Sequence, residues 1–449
     1  WLSILSHDCA FPPPIFLKVL ENLIRNPNIS SSLLFRAEIF YDSEKDTTIV
    51  EAPDLDARQE TPFSSFTKHL KSDYRPRGTQ IPPGYVWQRT LVRRLVPRNP
   101  QLDRDLVQTV HFFRSSNDPS DSAEANFLIL QIPHVDKVDD IPFYHPAVKS
   151  IALIYTWAGG ISQPQPGNIS IHYNLFEGTD TSALSNRLIR TAHHLVQIIY
   201  KHGQGQLAGY TKRVHHDLVI PQKRFQDTYT RLKIKYAKDL VKDWREQTDP
   251  TKHVFEDLGI AAFLLELWHD MYGDQEFPGF VDIGCGNGVL VHILMSEGYQ
   301  GWGFDARRRK SWDMFPEAVQ GNLKEVLLVP KVLQTAAGFN ESDSMPINGT
   351  AFHDGHFQNG TFIISNHADE LTPWTPLLAS LSSSPFIAIP CCSHNFSGAR
   401  FRAPNKANQP SAYATLTSWV AKLAVDSGCV PEKEMLRIPS TRNAAVIGR

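Results

Sequence analysis

The chain has 449 residues, of which 41% are hydrophobic and 20% are charged, and its formal net charge at pH 7 is −2. This near-neutral balance excludes a protein-wide field as the basis for binding an acidic partner, so any nucleic-acid surface must be a local basic patch. The length allows two or three domains, five cysteines do not form a disulfide framework, and no apolar run could span a bilayer. Because the chain begins at Trp1 rather than at methionine, we expect a longer protein from which any targeting segment has been trimmed.

The first 180 residues divide into two parts. Residues 1–78 combine a predicted helix, Pro14–Arg25, with a polar run, and we expect an N-terminal extension of uncertain structure. Residues 79–180 hold five short apolar runs separated by turn-forming residues: Leu91–Val96, Val107–Phe113, Asn126–Ile132, Ser150–Thr156 and Asn168–Phe176. Since no helical segment lies between these runs, they predict a β-rich domain with an antiparallel sheet.

Residues 181–270 are predicted to be a helical, basic connecting region. Apolar residues recur at helical spacing from Leu184 to Ile199, from Phe225 to Trp244 and from Asp257 to Trp268. Between Lys201 and Arg245 there are eleven Lys and Arg residues and four Asp residues. This local excess of positive charge fits either a solvated helix face or an RNA-binding surface.

A glycine-rich turn near residue 285 is the most informative segment. A predicted strand, Phe280–Ile283, leads into the turn, a predicted helix, Val289–Glu297, follows, and a second strand ends on Asp305. Such a βαβ unit lets the backbone approach a nucleotide closely, and the final acid can accept hydrogen bonds from ribose hydroxyls. The spacing is not the dinucleotide fingerprint, because Val289 occupies its third glycine position. The D-x-G-x-G-x-G pattern is typical of class I S-adenosyl-L-methionine-dependent methyltransferases and indicates six cofactor-binding residues: Asp282, Gly284, Gly286, Asn287, Gly288 and Asp305.

The rest of residues 271–449 is predicted to complete a doubly wound, Rossmann-like α/β domain. Strands are expected at Thr361–Ser365, Pro385–Ile389, Met435–Ile438 and Ala444–Ile447, with a helix at Ala412–Val425 and a long loop at Gly338–Gly360.

Four polar residues follow the Thr361–Ser365 strand, where a class I methyltransferase places the acceptor: Asn366, His367, Asp369 and Glu370. These side chains are candidates to orient the acceptor or to take its proton, with Asp369 preferred and Glu370 and His367 behind it. A capped helix start is the structural alternative.

Several motifs together resemble the eukaryotic tRNA (uracil-2′-O-)-methyltransferase family. They are DIGCGNG, GFDARRRKSW, SNHADELTPW, IPCC and LRIPSTRN, with RRLVPRNPQLDRDLVQTVHFF, HGQGQLAGYTKRVHHD and KHVFEDLGIAAFL further upstream. The resemblance covers roughly residues 80–449. It implies S-adenosyl-L-methionine as methyl donor, the ribose 2′-hydroxyl of uridine 44 in serine tRNA as acceptor, and a cytoplasmic enzyme.

The sequence departs from a pattern common among RNA ribose methyltransferases, the Lys-Asp-Lys-Glu tetrad. No lysine follows the Pro385–Ile389 strand, where Cys391 and Cys392 stand instead. A carboxylate or His367 is therefore the expected base. Four other roles for the cysteines stay open: an inert pair, a Cys391 nucleophile in a C5-pyrimidine methyltransferase, a contact in the substrate pocket, or zinc ligands with His394, which the adjacent spacing disfavours.

A tRNA substrate requires basic residues that contact phosphates. Three basic clusters supply the expected RNA-binding residues: Arg307, Arg308, Arg309, Lys310, Lys212, Arg213, Lys233, Lys235, Arg93 and Arg94. Two further hypotheses compete with a tRNA methyltransferase. A catalytically inactive RNA-binding protein would be free to lose the intact glycine turn, and a methyltransferase for proteins or small molecules would leave the basic clusters unexplained.

Overall fold

The computed structural model describes residues 1–46, 67, 70–116, 124–158, 164–179, 184–211, 215–331, 333, 351–391, 394–401 and 411–449. The chain divides into two compact units, Trp1–Thr211 and Lys212–Arg449. This division differs from the four segments expected from the sequence, with boundaries at residues 78, 180 and 270. No helix in the described ranges is long and apolar enough to cross a membrane.

The described residues of the first unit form seven strands and two long helices. In chain order they are β1 (Leu2–Cys9), α1 (Pro13–Arg25), β2 (Leu34–Asp42), β3 (Tyr85–Pro97), β4 (Leu106–Ser115), β5 (Glu124–Pro133), β6 (Ser150–Ala158), β7 (Gly167–Asn174) and α2 (Asn186–Leu207). The strands form one antiparallel sheet in the order β1-β7-β6-β5-β4-β3-β2. The predicted antiparallel sheet is confirmed, and it gains two strands from the first 46 residues.

The sequence alone does not reveal β1 and β2 because their partners are distant along the chain. β1 pairs with β7, and β2 pairs with β3 across residues 43–84. Helix α1 joins the two edge strands, and its apolar residues repeat at intervals of three and four: Phe16, Val19, Leu20, Leu23 and Ile24. These side chains are buried against the sheet and α2, so residues 1–46 belong to the first core.

The second unit begins with two helices and continues as an alternating α/β fold. Its elements are α3 (Gln222–Lys242), α4 (Pro250–Tyr272), β8 (Phe280–Ile283), α5 (Val289–Ser296), β9 (Gly301–Asp305), α6 (Glu317–Gln320), β10 (Leu323–Glu325), β11 (Leu327–Leu328), β12 (Phe352–His353), β13 (Phe362–Asn366), α7 (Leu371–Leu381), β14 (Phe386–Ile389), α8 (Ala412–Asp426), β15 (Glu432–Met435) and β16 (Ala444–Gly448). Strands β11 and β12 form a separate parallel pair.

The main sheet of this unit has the order β10-β9-β8-β13-β14-β16-β15. Its first five strands are parallel, and β16 lies antiparallel between β14 and β15. The chain builds outwards from β8 to β10 and then returns to place β13 on the other side of β8. Such a switch point creates a crevice at the carboxyl ends of the strands, where α/β proteins bind ligands. The predicted doubly wound domain is confirmed.

The region predicted as a helical connection does not form a separate body. Helix α2 packs into the first core, whereas α3 and α4 contribute to the core of the second unit. Helix α4 is buried along most of its length, and its Trp268 ring stacks on Phe280 of β8 with centroids 5.6 Å apart. The methyltransferase unit therefore starts well before residue 271.

Candidate active site

A cavity of about 1220 Å³ opens at the carboxyl ends of the central strands. Its walls come from the turn after β8, the end of β9, the turn after β13 and the segment after β14, and from the start of α4. This is the crevice that the switch point between β8 and β13 creates. The structure thus brings the predicted cofactor turn and the predicted acceptor turn to one cavity.

The glycine turn after β8 has a backbone that side chains with a Cβ rarely adopt. Gly284 and Gly288 have φ angles of 73° and 74°. A Cβ on Gly284 would lie 3.0 Å from the Cβ of Ala368, and one on Gly288 would lie 2.9 Å from Cδ1 of Leu323. Only glycine therefore allows the turn to lie this close to its neighbours.

Asp305, at the end of β9, holds the glycine turn. Its Oδ2 accepts a hydrogen bond from the Gly286 amide at 3.0 Å, and its Oδ1 accepts one from the Arg307 amide at 3.2 Å. Arg309 lies 3.4 Å from the same Oδ1. A carboxylate has about four acceptor positions, so further hydrogen bonds to a ribose are compatible with these contacts.

Two buried acids form the floor of the cavity. Asp282, on β8, is 1% exposed, and its Oδ1 has no hydrogen-bond partner among the described residues. Burial, together with the charges of Asp257 and Asp305, raises the pKa of Asp282 well above its usual range. Burial and the neighbouring charge of Glu256 raise the pKa of Asp257, on α4, to about 7. Buried acids with raised pKa values are typical of sites where a bound ligand, rather than a cationic side chain, neutralises the negative charge.

Helix α4 also orients the predicted acceptor turn. Asp257 accepts a hydrogen bond from Nδ2 of Asn366 at 3.1 Å, and Glu256 lies 3.0 Å from Nε2 of His367. Burial raises the pKa of Glu256, but the hydrogen bond and charge of His367, followed by the contributions of Ser440 and His253, bring it below its usual value. Neither acid was among the site residues predicted from the sequence. Two adjacent carboxylates in a strongly apolar helix could have indicated them, because buried charges need a specific partner.

The remaining residues of the acceptor turn are more open. Asp369 lines the cavity with 53% of its side chain exposed, and its Oδ1 lies 3.6 Å from Sγ of Cys391 and 3.4 Å from Nδ1 of His394. Glu370 also lines the cavity and forms the N-cap of α7. His367 and Asp369 both have left-handed backbones, with φ angles of 54° and 46°. Such strain in non-glycine residues is concentrated at functional sites.

Both parts of the chain match known family models. Residues 1–213 match the model described as "TRM44-like, N-terminal bet v1-like domain", and residues 219–330 match "Predicted AdoMet-dependent methyltransferase". The chain is 49% identical to the tRNA (uracil-O(2)-)-methyltransferase of Neurospora crassa, over all of this chain and 86% of that protein. The chain belongs to this family.

Other members of the family match as completely. The tRNA (uracil-O(2)-)-methyltransferases of Schizosaccharomyces pombe and Saccharomyces cerevisiae are 40% and 36% identical, over all of this chain and 85% and 87% of their own lengths. A solved magnesium protoporphyrin IX methyltransferase with bound SAH from Synechocystis matches 49% of this chain and 91% of its own, with 16% identity and a TM-score of 0.24.

The cavity fits S-adenosyl-L-methionine, the cofactor of this methyltransferase family. The cofactor carries a positive sulfonium and a positive ammonium group, and the cavity offers acids together with two buried oxygens that lack donors among the described residues, Asp282 Oδ1 and Asn366 Oδ1. On the open side of Gly286, no heavy atom would lie within 4 Å of an added Cβ. Asp305 and the glycine turn would hold the nucleoside end, and Asp282 and Asp257 the positively charged end. In the described part of the chain, no group of three or more His, Cys, Asp and Glu residues could hold a metal ion.

The basic cluster after β9 lies where the sequence placed it. Arg307, Arg309 and Lys310 line the cavity, and Arg308 is exposed beside it, paired with Asp313 at 2.5 Å. Arg245, the last residue of the basic run Lys201–Arg245, also lines the cavity, together with three cations that were not predicted: Lys252, Arg400 and Arg442. They come from segments far apart in the sequence, so only the fold brings them together.

The basic residues of β3 do not suit RNA binding, which corrects the sequence prediction. Arg93 is 6% exposed and donates to Oε1 of Gln108 at 2.9 Å and to the carbonyl of Ile24 at the carboxyl end of α1. Arg94 bonds Glu38 at 3.1 Å and lies 3.5 Å from Asp105. Neighbouring residues of a strand point to opposite faces, so Arg93 turns into the core, where the negative end of the helix stabilises its charge.

The helical basic residues are divided. Lys233 of α3 is exposed, with Nζ 5.3 Å from the centroid of the Phe255 ring, whereas Lys235 pairs with Glu297 at 2.9 Å. Lys212 and Arg213 lie outside the described residues. Lys233 and Lys235 stay candidates for phosphate contacts. The basic residues at the rim of the cavity are stronger candidates.

Proposed function

We propose that this protein transfers a methyl group from S-adenosyl-L-methionine to the ribose 2′-hydroxyl of a uridine in tRNA, and that the target is uridine 44 of serine tRNA. The relatives named above are tRNA (uracil-O(2)-)-methyltransferases, and all of this chain aligns with them. The uridine position and the serine tRNA come from the family resemblance of the sequence motifs. The cytoplasmic location implied by that resemblance stays a prediction.

One observation carries the proposal: the cofactor turn and a polar acceptor turn share a single cavity with a basic rim. When bound, S-adenosyl-L-methionine supplies an electrophilic methyl group. The chain itself must place the acceptor oxygen and receive its proton. The proposed residues for these tasks lie at the end of β13 and in the turn that follows it, at the switch point: Asn366, His367, Asp369 and Glu370.

The basic rim is proposed to bind the phosphates on either side of the target uridine. Arg307 and Lys310 are exposed on the wall that follows β9, next to the site proposed for the cofactor ribose. Phosphate contacts of this kind fix the register of an RNA without reading its sequence. The exposed cations on this wall therefore support a tRNA substrate and disfavour a small-molecule acceptor.

A C5-pyrimidine methyltransferase is the chemical alternative, because Cys391 lines the same cavity. Its thiol lies beside the Asp369 carboxylate, which disfavours a thiolate, since two negative charges would face each other. Methyl transfer to a hydroxyl needs no covalent enzyme–base intermediate. Cys391→Ser should therefore keep substantial activity.

The test is incubation of the protein with tritiated S-adenosyl-L-methionine and a total tRNA pool that lacks the modification. After digestion to nucleosides, the label should be found in 2′-O-methyluridine. After alkaline hydrolysis, the label should be found in a dinucleotide, because a methylated 2′-oxygen cannot cleave the phosphodiester bond that follows it. Label on the base, together with an inactive Cys391→Ser variant that still folds and binds cofactor, would establish the C5 alternative.

A further inference from the structure

Two adjacent acids of α4 contact two adjacent residues, the last residue of β13 and the one that follows it. Glu256 contacts His367 and Asp257 contacts Asn366, so one turn of a helix fixes the first part of the acceptor turn. The backbone amide of His367 also donates to the carbonyl of Ile389 on β14 at 3.1 Å. Glu256 thus holds the imidazole of His367, and Ile389 holds its backbone, which has a left-handed conformation.

We propose that His367 takes the proton of the acceptor hydroxyl and that Glu256 is the positioning residue that orients its imidazole. The proposal rests on the proposed function, because a 2′-hydroxyl must lose a proton when it is methylated. The proton passes from the 2′-oxygen to Nδ1 of His367, and the electron pair of that bond stays on the oxygen. The oxygen forms its new bond to the methyl carbon, while the pair of the broken carbon–sulfur bond stays on sulfur.

The chemistry of the pair determines which nitrogen is the base. The His367 contact helps to keep Glu256 ionised, and an ionised carboxylate can only accept a hydrogen bond. Nε2 must therefore carry the shared hydrogen, and Nδ1 is left with a lone pair when the ring is neutral. Nδ1 is buried and has no hydrogen-bond partner among the described residues, and His367 is one of the residues that line the cavity. A carboxylate behind a histidine also stabilises the imidazolium that forms during the reaction.

Asp369, the base preferred from sequence alone, has a different environment. Its side chain is 53% exposed, against 21% for His367 and 8% for Glu256. Water competes for an exposed carboxylate, whereas a shielded histidine–glutamate pair is fixed before the substrate arrives. The other charged or polar groups near the pair are Asp257, His253 and Ser440.

The decisive variant is Glu256→Gln. A glutamine amide can donate to Nε2, which forces the ring hydrogen onto Nδ1 and removes the lone pair. We expect the single-turnover rate at saturating cofactor to fall roughly a hundredfold to ten-thousandfold. Loss of the carboxylate should also move the acidic limb of the rate profile to lower pH, because no negative charge then stabilises the imidazolium. Glu256→Asp should restore part of the rate, and His367→Gln should abolish the limb.

Glu266→Gln is the matched control, because this residue lies on the same helix but bonds Arg224 at 2.8 Å and does not line the cavity. Its rate and pH profile should equal those of the wild type. An unchanged rate in Glu256→Gln, an unmoved limb, or a loss of cofactor binding that fully explains the loss of rate would each overturn the proposal. A wild-type protein that forms no 2′-O-methyluridine would instead refute the proposed function.

Discussion

Replacing Asp257 by asparagine should stabilise the free protein and weaken cofactor binding. Asp257 lies on the cavity floor between Glu256 and Asp282, where it accepts a hydrogen bond from Asn366. Asparagine keeps the shape of the side chain and removes its ionisation. Higher stability together with weaker cofactor binding would show that the acid serves a ligand and not the fold.

The size of the stability change follows from the pKa. Burial raises the pKa of Asp257 from 3.8 to about 7, so the folded protein holds a proton that the unfolded chain has lost between these pH values. Asp257 therefore lowers the free energy of unfolding least below pH 4, where it is protonated in both states. This free energy falls as the pH rises towards 7. Above pH 7 the ionised side chain costs about 4 kcal/mol, an upper bound because the structure can relax. Asp257→Asn should recover part of this free energy of unfolding at pH 8 and none at pH 4.

The effect on the cofactor has the opposite sign. A positively charged ligand favours the ionised form of Asp257, so binding below pH 7 should release a proton. The dissociation constant should be nearly constant above pH 8 and should rise by up to tenfold per pH unit below 7. The Asp257→Asn variant should bind the cofactor more weakly than the wild type at pH 8, and its affinity should depend less on pH.

Titration calorimetry in two buffers of different ionisation enthalpy measures the released protons directly, and urea unfolding at pH 4 and 8 measures stability. Binding without proton release at pH 6, or equal pH dependence in wild type and variant, would refute the assignment of Asp257 to the cofactor cavity. A variant that is less stable at pH 8 would show that the acid serves the fold.

Four further variants test other parts of the site and fold. Asp305→Ala should weaken cofactor binding by about a hundredfold, or roughly 3 kcal/mol, measured by calorimetry, and unchanged affinity would mean that the pocket is misplaced. Gly288→Ala should cost about 2 kcal/mol or more in urea unfolding, because φ is 74° and the new Cβ would meet Leu323; an equally stable protein would contradict this. Changing Arg307–Arg309 to Glu should weaken tRNA binding and flatten its salt dependence, and an unchanged slope would exclude them as phosphate ligands. Arg93→Met should lower stability by about 2 kcal/mol and leave that slope unchanged, whereas a flatter slope would restore Arg93 to the RNA surface.

The residues proposed to bind the cofactor could be placed at one cavity from the sequence because they are contiguous. Strand, glycine turn, helix and acid are consecutive steps of one βαβ unit, and each has a local signature, so Gly284 and Asp305 lie in the cavity where the sequence placed them. The polar residues after β13 were also visible, since they follow an apolar strand directly.

The long-range contacts could not be predicted. Glu256 and Asp257 lie more than a hundred residues from His367 and Asn366, and no local pattern pairs them. The same holds for Arg93, whose inward direction depends on the register of β3 and on the end of α1. Charge along the sequence marks where cations occur, but strand alternation decides which of them reach the surface.

The most direct test of the account is methylation of two serine tRNA transcripts that differ only at position 44. With wild-type protein and labelled S-adenosyl-L-methionine, the transcript with uridine 44 should yield 2′-O-methyluridine, and the transcript with cytidine 44 should yield no labelled 2′-O-methyluridine. At a cofactor concentration near the dissociation constant of the wild type, Asp305→Ala protein should label the uridine 44 transcript much more slowly. Labelled 2′-O-methyluridine from the cytidine transcript, or label on the base of uridine 44, would contradict the proposed target and chemistry.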